Sequence, residues 1–190
     1  MEIDIKEWLN REGEAFLEDI GIKKGDAVLD FGCGAGHYTI PAAKVVSKEG
    51  KVYAMDKDME SIHKLMEIAK TKGLKNIIPL HTKSEEPKIN LGSESIDVVL
   101  LYDVIHYIKV LERERIYKEI YRILKTGGIL SVYPKHRKSD EPLWNLSDMG
   151  LDDVIGEINS RHFYLQRKFY KKLLHNYHYN RGYILNFRKK

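Results

Sequence analysis

At 190 residues, 43% hydrophobic and 32% charged, the chain has the composition of one globular domain long enough to bury a real core. No apolar run approaches the roughly 20 residues of a membrane span, MEIDIKEWLN does not read as a signal peptide, and a lone cysteine, Cys33, excludes an internal disulfide and a cysteine-cluster metal site. The net charge of +4 is uneven: residues 161–190 hold nine Lys/Arg and no Asp/Glu, leaving 23 Lys/Arg against 28 Asp/Glu on the rest. A single cytoplasmic domain spanning 1–190 is expected, with no metal.

Residues Ile3 to Ile20 read as an amphipathic helix with Ile5, Trp8, Leu9, Phe16 and Ile20 inward, with Gly13 weighing against a single unbroken helix. This segment, within residues 1–21, either packs on the sheet or forms a lid. The run AVLDFGCGAGHYTI follows a turn at residues 21–26. Ala27-Val28-Leu29 is a buried strand ending in Asp30, then come Gly32, Gly34 and Gly36, then a helix from Thr39 to Val46 with Pro41 in its first turn. Strand, glycine turn and helix together present backbone N–H groups to a ligand across a sheet edge.

Lys51 to Met55 is a second strand ending at Asp56, and Asp58 caps the next helix. That helix carries Ile62, Leu65, Met66 and Ala69 on one stripe and closes at Gly73. Ile77-Ile78-Pro79-Leu80 is a third strand, placed at a sheet edge by Pro79. After a polar loop, Ser95 to Leu101 reads as a strand buried on both faces. A helix through Leu111, Ile116, Ile120 and Leu124 is stopped by Thr126-Gly127-Gly128, and Ile129 to Tyr133 is a fifth strand. Leu151 to Phe163 is a further helix. Arg167 to Phe187 holds two β-like runs joined at Asn180-Arg181-Gly182. The alternation predicts a Rossmann-like, doubly wound, mainly parallel α/β sheet with a C-terminal hairpin.

Asp56 lies 24 residues after Gly32, at the end of the next strand, where a carboxylate can accept from both hydroxyls of a ribose. The loop reads G-x-G-x-G rather than G-x-G-x-x-G, and Asp30 precedes it. A carboxylate there repels a pyrophosphate and suits a ligand with a cationic amino-acid end, which is S-adenosylmethionine.

In the blocks VLDFGCGAGHYTIPAA, GKVYAMDKD, IDVVLLYDVIHYI and RILKTGGILSVYP, from about residue 22 to 134, the chain resembles class I S-adenosylmethionine-dependent methyltransferases of the type 11-like branch. The resemblance implies a seven-stranded sheet with the last strand antiparallel. It implies that Asp30, Gly32, Cys33, Gly34 and Gly36 line the methionine side of the cofactor. Asp56 would hold the ribose, with Lys57 beside the adenine. Thr82 and Lys83, in the His81-Thr82-Lys83-Ser84 run, stand where many relatives carry an Asp for the adenine amino group. Tyr102 and Asp103 would meet the methionine portion and open toward the acceptor. His106 and Tyr107 are the first candidates for catalysis, with His37, Tyr38, Tyr133 and His136 as further polar groups near the same edge.

The function implied is methyl transfer to a small-molecule acceptor. The alternatives are an NAD(P)-dependent Rossmann oxidoreductase and a non-catalytic S-adenosylmethionine-binding protein. One cysteine excludes chemistry that needs two or three. The Asn-Pro-Pro-Tyr type signature of amino-group methylation is absent, LYDVIHY taking its place. The basic, aromatic C-terminal segment is either a hairpin with buried rings and solvated lysines or a surface for RNA.

Overall fold

The computed structural model describes residues 3–82, 88–138, 140 and 144–190. It contains strands β1 (Ala27–Phe31), β2 (Lys51–Asp56), β3 (Ile77–His81), β4 (Ile96–Tyr102), β5 (Leu124–Tyr133), β6 (Phe163–His175) and β7 (His178–Lys189). The helices are α1 (Ile3–Glu7), α2 (Gly13–Ile20), α3 (Thr39–Val46), α4 (Met59–Thr71), α5 (Val110–Ile123) and α6 (Leu151–Asn159). The strands form a seven-stranded sheet in the order β3-β2-β1-β4-β5-β7-β6. The doubly wound α/β reading holds, and β3 with Pro79 stands at an edge, where a missing N–H costs no ladder bond. No helix among the described residues is long and apolar enough to cross a membrane.

Two compact units make up the chain: Met1–Ser84 with Lys172–Arg181, and Glu85–Lys171 with Gly182–Lys190. In the first, β1, β2 and β3 pair in parallel, around fully buried Val28, Leu29, Val52, Ala54, Leu65 and Ala69. A five-residue π-helical turn, Trp8–Glu12, joins α1 to α2, so residues 3–20 run as one continuous helical segment. The segment continues through Gly13, where a Cβ would come within 2.7 Å of Pro41 Cγ, so the glycine allows a close approach to α3. Trp8 is buried and donates its indole N–H to the His37 carbonyl at 2.7 Å. Its ring packs on Phe16 and Tyr38, centroids 5.3 Å from each. Asp58 caps α4 by accepting from the N–H groups of Glu60 and Ser61, as its type and position require.

In the second unit β4 and β5 are parallel and β7 runs antiparallel to β5. Three expectations are corrected here. Leu111 is 70% exposed and Leu124 already opens β5; the inward face of α5 is Arg113, Tyr117, Ile120 and Ile123. The last helix ends at Asn159, and Phe163 begins β6. The hairpin turns at Asn176-Tyr177, with Asn176 at φ 54°, whereas Asn180-Arg181-Gly182 lies inside β7. Gly182 is there because a Cβ would stand 2.5 Å from the Tyr133 ring, a close approach that reads in sequence like a turn.

The α5 face is set by a buried guanidinium. Arg113, 1% exposed, forms a two-pronged pair with Glu157 of α6, Nε to Oε1 at 2.8 Å and Nη2 to Oε2 at 2.7 Å. It also donates to the Ile108 carbonyl at 2.8 Å and reaches the Asn145 carbonyl and the Met149 sulfur. Removing one partner of such a pair strands the other charge. Arg113→Met is expected to cost about 3 kcal/mol in urea unfolding, and adding Glu157→Met should recover most of that loss.

Candidate cofactor and acceptor site

The glycine loop is held by the C-terminal end of β2. The N–H groups of Gly32 and Cys33 both donate to the Met55 carbonyl, at 2.8 and 3.0 Å. That of Gly34 donates to the Asp56 carboxylate at 2.7 Å. The other Asp56 oxygen accepts from the Asp58 N–H at 3.0 Å, and the Asp56 carbonyl accepts from the Thr82 N–H at 3.0 Å. Asp56, Lys57 and Thr82 are thereby drawn to one strand end, with the Lys57 carbonyl 3.2 Å from the His81 ring nitrogen. Lys83 lies outside the described residues.

Two glycines serve different ends. At Gly34, φ is +48° and an added Cβ would meet nothing within 4 Å, so the loop presents an open face there. At Gly36, φ is +81° and an added Cβ would stand 2.2 Å from Leu65 Cδ1, so the loop lies directly on α4. An open backbone face beside a carboxylate with spare lone pairs fits a ligand carrying hydroxyl donors.

Asp30 is buried and accepts from the Thr39 hydroxyl at 2.5 Å, which ties the end of β1 to the first turn of α3. Burial, and secondarily the charge of Asp56, push its carboxyl up to about 6 against the pull of Thr39. Burial pushes the Cys33 thiol up too, helped by the charges of Asp30 and Asp56, so the thiol stays protonated and is no nucleophile. His37 is lowered by burial and meets the Tyr177 ring edge-on at 5.7 Å, while the Tyr38 phenol donates to the Leu174 carbonyl at 2.5 Å.

In the second unit the ends of β4 and β5 carry the other candidates. Tyr102 is buried, its phenol 2.7 Å from Ser131 Oγ, and Ser131 in turn donates to Asn186 at 2.8 Å. Asp103 sits at φ 58°, a conformation Asp tolerates better than most residues, and its N–H donates to the Tyr133 carbonyl at 3.2 Å. Burial and the Asp103 charge hold the Tyr133 phenol above its ordinary range. His106 is fully buried, with Nδ1 3.7 Å from Asp103 Oδ1. Its ring stacks on Trp144 at 4.6 Å and lies 4.0 Å from Tyr107 and 4.5 Å from His136. Tyr107 is 60% exposed, and burial of its inner part raises its phenol.

Trp144 is absent from the sequence-based candidates, although a lone tryptophan in a polar connection is a signal worth weighing. Asn145 beside it donates both its backbone N–H and its side-chain amide to the His106 carbonyl, each at 3.1 Å. The Asn145 carbonyl is within reach of Arg113. The aromatic cluster is thus tied to the buried ion pair beneath it.

A family model described as a methyltransferase domain matches residues 22–176. The chain belongs to the class I S-adenosylmethionine-dependent methyltransferase family. A probable cobalt-precorrin-6B C(15)-methyltransferase (decarboxylating) of Saccharolobus solfataricus is 42% identical over 73 residues, 38% of this chain and 36% of that protein. The sterol 24-C-methyltransferase erg6 of Aspergillus fumigatus is 31% identical over 124 residues, 65% of this chain and 31% of that protein. The chain therefore spans about a third of the length of these curated relatives. A SAM dependent methyltransferase structure from Aquifex aeolicus shares the fold, with a TM-score of 0.79 at 24% identity, over 97% of this chain and 93% of that one. The oxidoreductase alternative gains no support from these relatives.

The buried Asp30 makes a pH prediction for this methyltransferase domain. Its folded pKa of about 6 lies above the ordinary 3.8. Between those values the folded state keeps a proton that the unfolded state has released, so Asp30 makes stability fall as pH rises through that window. The unfolding free energy of wild type minus that of Asp30→Asn should fall from about pH 4 to about pH 6. A difference independent of pH would show that Asp30 titrates normally.

Proposed function

We propose that this chain, as one methyltransferase domain, transfers a methyl group from S-adenosylmethionine to a small molecule. The observation that carries the reading is the Gly34 backbone held open against the Asp56 carboxylate in a chain of this family. A domain match running from residue 22 to 176 supports treating the two compact units as one functional domain. A single buried thiol suits a cytoplasmic setting.

The cofactor brings a methyl group already activated on a cationic sulfur. Asp56 accepts from the ribose hydroxyls with lone pairs that Gly34 and Asp58 leave over. Asp30, ionised above about pH 6, places a negative charge at the end of β1 and favours the positive end of the ligand. Gly32, Cys33, Gly34 and Gly36 supply backbone, and Lys57 and Thr82 the adenine side. Because the reagent is activated, holding the acceptor in line and close supplies much of the rate.

Of the two catalytic candidates, Tyr107 is the one that can meet an acceptor directly. Its raised phenol is protonated at neutral pH and donates a hydrogen bond rather than taking a proton. His106 acts behind it as a positioning residue, held between Asp103 and the Trp144 ring. The relatives named for precorrin and sterol methylation support a small organic acceptor.

Calorimetry against S-adenosylmethionine, its demethylated product and NAD tests the cofactor. Binding of both adenosyl compounds and not of NAD is expected; a folded chain that binds neither adenosyl compound refutes the reading. Asp56→Ala should weaken adenosyl binding by roughly 1–3 kcal/mol. Methyl transfer is checked by the appearance of the demethylated product with a metabolite extract freed of macromolecules. Binding without any turnover would leave a non-catalytic S-adenosylmethionine-binding protein.

A further inference from the structure

The second unit carries a surface that the methyl-transfer reading does not use. From residue 161 to 190 there are nine Lys/Arg and no Asp/Glu, and seven of the nine belong to this unit. A hairpin with its rings buried would need only solvated lysines, yet Tyr164, Tyr170 and Tyr183 are 46, 56 and 37% exposed. The Tyr170 and Tyr183 rings face each other at 5.0 Å, tilted by 56°, and Lys168 Nζ lies 5.8 Å from the centre of the Tyr183 ring. On the same hairpin the Arg188 guanidinium donates to Gln166 at 2.7 Å and to the Gly127 carbonyl. Across the strand, Arg167 Cζ lies 4.3 Å over the Phe169 ring and Lys171 Nζ 5.7 Å from it.

We infer that this β6–β7 face binds single-stranded RNA. Cations alternating with exposed rings along a strand offer two things at once: charge to follow a phosphate backbone, and flat apolar faces on which unpaired bases stack. A duplex keeps its bases stacked and uses only the cations. An acidic peptide does the same and leaves the tyrosines idle. A second copy of the chain is disfavoured, because β6 is the last strand of the sheet and the cations on Arg167, Lys168 and Lys171 repel an identical edge. In the cytoplasmic setting proposed above, the unpaired nucleic acid to be met is RNA rather than DNA. This inference is independent of the methyl-transfer reading.

Fluorescence anisotropy of the full chain with a short unstructured RNA tests it. Saturable binding that weakens as salt rises is expected. Tyr164→Ala and Tyr170→Ala should each cost roughly tenfold in affinity, and Lys168→Gln should make the salt dependence shallower. All three variants should keep wild-type circular dichroism and adenosyl-compound binding. The inference is overturned if no saturable binding is seen, or if the tyrosine variants bind RNA as wild type does. It is overturned equally if duplex RNA, single-stranded DNA, heparin or an acidic peptide binds as tightly as the single-stranded RNA.

Discussion

Three consecutive backbone N–H groups, those of Gly32, Cys33 and Gly34, are satisfied by the last two residues of β2. This arrangement determines most of what surrounds it. A loop pinned at three successive donors must lie flat across the neighbouring strand end. Bulk is then excluded on the α4 side, where Gly36 lies on Leu65, and left open at Gly34. The first turn of α3 follows at once, Ile40 bonding back to Gly36. Thr39 reaches Asp30 from that turn, so strand, loop and helix are fastened at both ends. The same carboxylate that braces Gly34 is the group proposed to take the ribose, which couples loop shape to ligand recognition.

The second unit has a comparable organising contact in Arg113 and Glu157. The cost of burying these charges is offset by a two-pronged pair and by carbonyls at Ile108 and Asn145 that use the remaining donors. Through Asn145 the ion pair is linked to the backbone of His106, and through Met149 to the approach to α6. Trp144, beside Asn145, stacks on His106, so the ring cluster at the end of β4 rests on a polar foundation rather than on hydrophobic packing alone.

Charge is distributed with similar economy. Burial raises the cost of ionising Asp30, and the charge of Asp56 adds to it. Burial, helped by the charges of Asp30 and Asp56, also keeps Cys33 a thiol. The cations, by contrast, gather in the last thirty residues. Several serve the fold, as Lys189 does with Glu94 and Arg161 with Glu114, while Arg167 lies over the half-buried Phe169 ring and Lys168 near the exposed Tyr183 ring.

Features that depend on a few neighbouring residues were legible in the sequence. The alternation of strands and helices, the Asp58 cap, the span Thr39–Val46, the glycine loop and the acid at the end of β2 all follow from local periodicity, capping chemistry and backbone freedom. Features decided by a distant partner were not. Gly182 resembles a turn residue until Tyr133 is known to lie on it. The inward face of α5 centres on a charged residue because Glu157, 44 positions away, stands opposite. That Asp30 is buried and accepts from Thr39 depends on how the fold closes over the end of β1. Trp144 and His106 become one cluster only when the connection after β5 folds back. Local chemistry determined the elements and the loop; long-range burial and steric approach decided protonation, the facing of helices and which side chains meet.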